Sequence, residues 1–145
     1  MTPLPSSLVL DSTVLIAAAL GRTGAVIERV QYVAALVTTD RVIEESRRKI
    51  EFGLKAPDLV PLVDFMVEAL AIVSVAELES FLPNAETVLR DAVPSRNGSV
   101  RDAHVLALAW CTGADVWTSD RDFAGTGVAS WSTLNLVRAL SEINR

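Results

Sequence analysis

The stretch Arg101 to Phe123, RDAHVLALAWCTGADVWTSDRDF, constrains this chain more than any other. From Ala103 to Cys111 its only polar residue is His104, and a helix apolar nearly all round belongs inside a layered structure rather than on a surface. Gly113 supplies the stop, because glycine accepts the left-handed backbone that closes a helix. Val116 and Trp117 then read as a short buried strand that hands over to Thr118, Ser119, Asp120, Arg121 and Asp122. Carboxylates flank the unit at both ends. A helix entering beside a sheet's carboxyl edge, followed by a strand leaving at that edge, would bring Asp102 and Asp120 together across 18 positions. In open α/β sheets that edge is where ligands bind.

The rest of the chain repeats the alternation. Ser7 to Leu10 is an apolar run suited to a buried strand, and it ends on Asp11. Thr13 to Leu20 continues as an apolar helix closed by Gly21 or Gly24, and a second helix is expected from about Ala25 to Ala35. Leu36 and Val37 make a second strand into Thr38 and Thr39. Thr39 is a candidate N-cap for a third helix and Asp40 suits its positive end. On that helix Val42, Ile43, Ser46, Ile50 and Leu54 share one side. At about 100° per residue, Glu45 falls about 60° from Val42, at the border of the buried stripe, while Glu44 points further out. Pro57 restarts the chain into a helix bearing Leu59, Leu62, Val63, Met66, Val67 and Leu70. Ile72 to Val75 is a third strand, Leu78 to Val93 a weakly helical segment, and Pro94 to Ser99 a polar turn. After Phe123 a strand around Val128 to Trp131 and a helix from about Thr133 to Ile143 close the chain. Strands alternating with helices predict a three-layer α/β/α domain around a mainly parallel sheet of four to five short strands.

At 145 residues the expectation is one domain over 1–145 with a substantial core. The lone cysteine, Cys111, permits no internal disulfide, suits a reducing compartment and is expected in the core. Asp11 interrupts LVLDSTVLIAAAL, which argues against a signal or spanning helix, so a cytoplasmic protein with no membrane role is expected. Thirteen basic against eighteen acidic side chains give a charge of −5. That argues against a broad nucleic-acid-binding surface driven by phosphate neutralisation, though not against a small basic rim around a metal site.

Each acid has a structural reading beside the functional one. Asp11 or Ser12 would cap the first helix, Ser99 and Asp102 have capping-box spacing, and Asp120 suits a turn. Together, one acid per sheet edge with a glutamate from the third helix would repel one another without a counterion. A divalent cation answers that need. Mg²⁺ and Mn²⁺ favour oxygen ligands, and such a site can activate water for phosphodiester hydrolysis. The chain has no Cys/His spacing for zinc, no glycine-rich phosphate loop and no G-x-S-x-G elbow. The haloacid-dehalogenase pattern needs an aspartate at position 13, where Thr13 stands, and a receiver domain needs an earlier acidic pair and a late lysine.

Together LVLDSTVLIAAAL, TTDRVIEESRRKI, RDAHVLALAWCTGADVWTSDRDF and the closing apolar helix resemble a PIN domain, with residues 55 to 97 the least diagnostic. The resemblance implies a metal-dependent endoribonuclease holding Mg²⁺ or Mn²⁺, frequently the toxin of a toxin–antitoxin pair, hence an RNA substrate and an antitoxin partner. It carries the four acids onto Asp11, Glu45, Asp102 and Asp120. Asp122 matches a structural or supporting aspartate, and Ser12 and Thr118 match supporting hydroxyls. Ser99 stands where relatives often have a further aspartate. A homodimer is expected from the resemblance and from apolar helices beyond the needs of one small core. The alternative is a non-catalytic PIN-like module that binds RNA or a protein. His104 reads as structural or as support for the acids, and Trp110, Trp117 and Trp131 as core rather than base-stacking platforms. Arg41, Arg47, Arg48, Arg101 and Arg121 either hold phosphates or balance the acids, and the dense Arg47–Lys49 run reads as a solvated face.

Overall fold

A computed structural model of the chain describes residues 3–91, 100–119, 123 and 125–143. β1 (Ser7–Leu10), β2 (Ala35–Thr39), β3 (Ala71–Val73), β4 (Asp115–Trp117) and β5 (Ser130–Trp131) form one sheet in the order β3-β2-β1-β4-β5. Every pairing is parallel. Parallel strands are buried on both faces and so tolerate unbroken apolar runs. β1 obeys this: Leu8, Val9 and Leu10 are fully buried, and β4 contributes Val116 and Trp117.

The connecting helices are α1 (Ser12–Ala19), α2 (Gly24–Val30), α3 (Asp40–Arg48), α4 (Val60–Val67), α5 (Leu82–Arg90), α6 (Ala103–Thr112) and α7 (Thr133–Ile143). α1, α3 and α4 pack on one another, while α5 packs on α6 and α6 on β1 and β2. The sheet therefore lies between helical layers, as expected. α6 is the central helix. All seven residues from Ala103 to Ala109 are buried, and its small alanines let the helix approach the sheet closely. Gly113 closes it at φ 68°.

Several details depart from the expectation, the first being that α2 ends at Val30 rather than near Ala35, which already belongs to β2. Cys111 is exposed rather than core, because the last turn of α6, Cys111 to Gly113, emerges from the layer. α3 widens into a π-helical turn over Lys49–Gly53, which rotates Leu54 out of the buried stripe and leaves it exposed, whereas Ile50 stays fully buried. The third strand runs Ala71–Val73 and Val75 already belongs to a 3₁₀ turn, Val75–Leu78. No helix among the described residues is long and apolar enough to cross a membrane.

The strand order decides where a ligand would sit. From β1 the chain builds outward to β2 and β3 on one side, then returns to add β4 and β5 on the other. The order reverses between β1 and β4, and a crevice opens beyond the carboxyl ends of strands at such a point. Asp11 follows β1 and Thr118 follows β4 there.

Candidate active site

Asp11 sits in that crevice, 6% exposed. It caps α1: its Oδ1 accepts from the backbone N–H of Thr13 at 3.0 Å and of Val14 at 3.4 Å. The Thr13 hydroxyl donates to the same oxygen, and the Thr118 hydroxyl donates to Oδ2. Below it, the Asp11 N–H donates to the Trp117 carbonyl at 3.3 Å. A buried carboxylate held by charge-assisted hydrogen bonds on both oxygens keeps its negative charge and its direction. Capping and the candidate functional role thus coexist in one side chain. Of the expected supporting hydroxyls, Thr118 occupies its place. Thr13 rather than Ser12 supplies the other, and it also accepts from the Ser119 N–H at 3.1 Å. Sequence reasoning passed over Thr13, although a hydroxyl two positions after a strand-ending acid was the available signal.

The second group forms where α6 meets β2. α6 runs against the strands, so its first turn returns to their carboxyl edge. There His104, 1% exposed, places Nδ1 2.8 Å from the Thr39 hydroxyl, which also accepts the Val42 N–H at 3.0 Å as the N-cap of α3. Thr38 next to it donates to the Leu10 carbonyl at 2.8 Å, tying β2 to β1 immediately before Asp11. The role of Thr39 in seating His104 was not legible, because it needs a residue 65 positions away.

His104 Nε2 lies 3.9 Å from Glu45 Oε1, and Nε2 is buried with no hydrogen-bond partner among the described residues. Burial, then the nearby Arg41 charge, lowers the His104 pKa from 6.5 to about 4, against a smaller raising effect of Asp40. The ring is therefore neutral near pH 7 and this contact is not an ion pair. Glu45 is half-buried with its pKa raised, chiefly by desolvation, against the lowering effects of Arg41, Lys49 and Arg101. Glu44 points away and pairs with Arg48 at 3.4 Å, as its position on the wheel predicts. Asp102 begins α6 with φ −86° and ψ 4° and makes no capping hydrogen bond to it. Two residues from His104, it shares the same edge.

Asp11, Glu45 and Asp102 thus occupy the carboxyl side of the sheet on three different elements. Asp120, Asp122, Arg121 and Ser99 lie outside the described residues. The donors are all oxygen, which suits a hard divalent cation, and Mg²⁺ commonly takes only one or two carboxylates besides water. Among the described residues no three His, Cys, Asp or Glu side chains converge closely enough to hold one ion. The tryptophans serve the core as expected. Trp117 and Trp131 are buried, donating to Thr133 Oγ1 at 3.0 Å and Asp115 Oδ2 at 2.8 Å, and Trp110 packs against the core partly buried.

An all-parallel five-stranded sheet with Asp11 at its switch point is the arrangement expected of a PIN fold. The PIN domain family model matches residues 9–141, and the chain belongs to that family. No curated protein sequence matches the chain. Among solved structures it is similar to VapBC2 from Rickettsia felis bound to a promoter DNA fragment. That match has TM-score 0.68 and 13% identity, over 87% of this chain and 98% of that one. It is also similar to VapC20 from Mycobacterium tuberculosis, a sarcin–ricin loop cleaving toxin, with TM-score 0.64 and 15% identity over 84% and 96% of the two chains. A toxin–antitoxin complex from Klebsiella pneumoniae gives TM-score 0.61 and 17% identity over 87% and 97%. At these identities the likeness is one of fold.

Proposed function

We propose that the chain, as one domain over residues 1–145, is a cytoplasmic metal-dependent endoribonuclease. In this reading it is the toxin of a toxin–antitoxin pair, with RNA as substrate. The observation that carries the reading is Asp11: a buried carboxylate at the switch point, with a threonine hydroxyl on each oxygen. A cap alone needs one oxygen and does not need Thr118.

Asp11, Glu45, Asp102 and Asp120 would hold Mg²⁺ or Mn²⁺, which when bound supplies positive charge beside the scissile phosphate and favours ionisation of water. The chain's own residues then position and protect. Thr13 and Thr118 fix the direction of the Asp11 carboxylate. His104, neutral and seated on Thr39, holds the first turn of α6 against α3 and so sets the separation of Asp102 from Glu45. Desolvation of Glu45 makes Oε1 a stronger proton acceptor than an exposed glutamate.

The fold likeness to toxin–antitoxin proteins supports an antitoxin partner, and a homodimer is part of the same reading; light scattering at micromolar concentration tests the latter. The second reading is a non-catalytic PIN-like module binding RNA or a protein.

One experiment separates them. Folded wild type and Asp102→Asn are incubated with a mixed RNA pool in Mg²⁺, in Mn²⁺ and in chelator. Cleavage by wild type alone, abolished by chelator, is expected. Metal-dependent cleavage by Asp102→Asn at the wild-type rate would remove Asp102 from the site. An inert wild type that binds no divalent ion in calorimetry would establish the non-catalytic reading.

A further inference from the structure

The four cations of α3 and its C-cap divide into two sets. Arg47 pairs with Asp64 and Arg48 with Glu44, both in exposed positions. Arg41 and Lys49 are exposed and make no ion pair among the described residues. They stand four residues before and four after Glu45, and because Lys49 still has helical dihedrals, φ −63° and ψ −40°, Arg41, Glu45 and Lys49 form one stripe. Residues four apart share a helix face. Eight residues of helix span roughly 12 Å, enough for a short stretch of nucleic-acid backbone rather than one phosphate.

Lys49 also borders a cleft of about 540 Å³ between α1 and the π-helical turn. Thr13 and Ser119 line the end nearest Asp11, Ile16, Leu20 and Leu54 give apolar walls, and Arg22 adds a second cation. Arg22 is exposed and makes no ion pair among the described residues. The cleft is therefore continuous with the site through Thr13, whose hydroxyl touches both Asp11 and the Ser119 N–H. On a chain of net charge −5, three exposed cations leading to a carboxylate site, two of them acting electrostatically on Glu45, form a local exception to the protein's own field.

We infer that Arg41, Lys49 and Arg22 form a phosphate track for single-stranded RNA, leading past Glu45 into the cleft, where Ile16, Leu20 and Leu54 receive an unpaired base. The inference rests on the nuclease reading and names its substrate contacts. Charge complementarity selects a polyanion. The concave apolar wall selects a single strand, since a paired base has no free face to offer it.

The test measures binding without cleavage. Fluorescence anisotropy of a 12-nucleotide single-stranded RNA pool is followed with the full chain in chelator, from 50 to 200 mM salt. Each of Arg22→Gln, Arg41→Gln and Lys49→Gln is expected to weaken binding about three- to tenfold. Each should also reduce the magnitude of the log–log salt slope by about 0.7, the loss of one phosphate contact on a single strand. Arg47→Gln and Arg48→Gln are expected to retain wild-type affinity and slope. All five positions are exposed, and circular dichroism confirms folding. Equal loss in all five variants, wild-type binding by the three, equal affinity for duplex RNA, or no RNA binding by wild type would each overturn the track; so would a protein ligand that alone responds to the three substitutions. Because no cleavage is read, a chain that binds in the expected pattern but cuts nothing retains the track and loses the nuclease assignment.

Discussion

The Thr118 hydroxyl donates to the Asp11 carboxylate across 107 positions of sequence. This bond closes the crevice between β1 and β4. Thr118→Val preserves shape but removes the donor, leaving a buried carboxylate oxygen short of one partner. A loss of about 1–3 kcal/mol is expected, read as a lower urea midpoint at unchanged slope. Wild-type stability in the variant would show that the bond contributes nothing net.

Asp11→Asn separates the two roles of that side chain. Asparagine caps a helix about as well as aspartate but offers no second acceptor to the Thr118 hydroxyl, so a stability loss within the same range of about 1–3 kcal/mol is expected, while RNA cleavage falls at least a hundredfold under the nuclease reading. Thermal unfolding beside the cleavage assay decides. Retained cleavage in a stable Asp11→Asn protein would leave capping as the residue's whole role.

His104 gives the fold a pH dependence. Its native pKa, about 4, lies below the ordinary 6.5, so between those values the unfolded chain binds more protons than the native one. Stability from this group is complete above about 6.5 and is lost as pH falls toward 4. The shift corresponds to about 3 kcal/mol at most. Glu45, with its pKa raised, contributes in the opposite sense and offsets part of the slope. Urea midpoints at pH 4.5, 5.5 and 7 should therefore rise with pH, and His104→Gln should flatten the rise. A wild-type profile level over that range would contradict the neutral, buried ring.

Gly113 ends α6 at φ 68°, with nothing within 4 Å of where a Cβ would stand. Gly113→Ala therefore meets no clash and pays only the left-handed backbone, about 1–2 kcal/mol. Calorimetry should show a melting temperature several degrees lower. No change would mean that the helix end rearranges.

Much of this architecture was legible because apolar runs and polar stops alternate. Ser7–Leu10 and Thr133–Ile143 fall where the sequence placed them, Thr39 caps α3, and Gly113 ends α6. Helical angle and the family resemblance together favoured Glu45 over Glu44, and the structure puts the two on the sides that angle gave. What escaped depends on relations between distant segments. Leu54 follows an α-helical stripe until a π turn, invisible to periodicity, rotates it into solvent. Cys111 continues an apolar run past the point where the covering layer ends. The pairing of His104 with Thr39 joins two residues that each have a satisfactory local reading. At the site, the elements that carry Asp11, Glu45 and Asp102 could be read in advance, whereas the hydroxyls around Asp11 could not be ranked without the fold.

The central place of β1 also sets an order of assembly. One edge of β1 pairs with β2, fewer than 30 residues on, and the other with β4, more than 100 residues on. A chain leaving the ribosome at about 5–20 residues per second can form the first pairing early. It then carries the second edge open for roughly 4–16 s, until Thr118 has been synthesised. Throughout that interval Asp11 caps α1 but lacks its distant hydroxyl. An amino-terminal fragment ending before β4 would hold the first acid of the site in a half-built crevice.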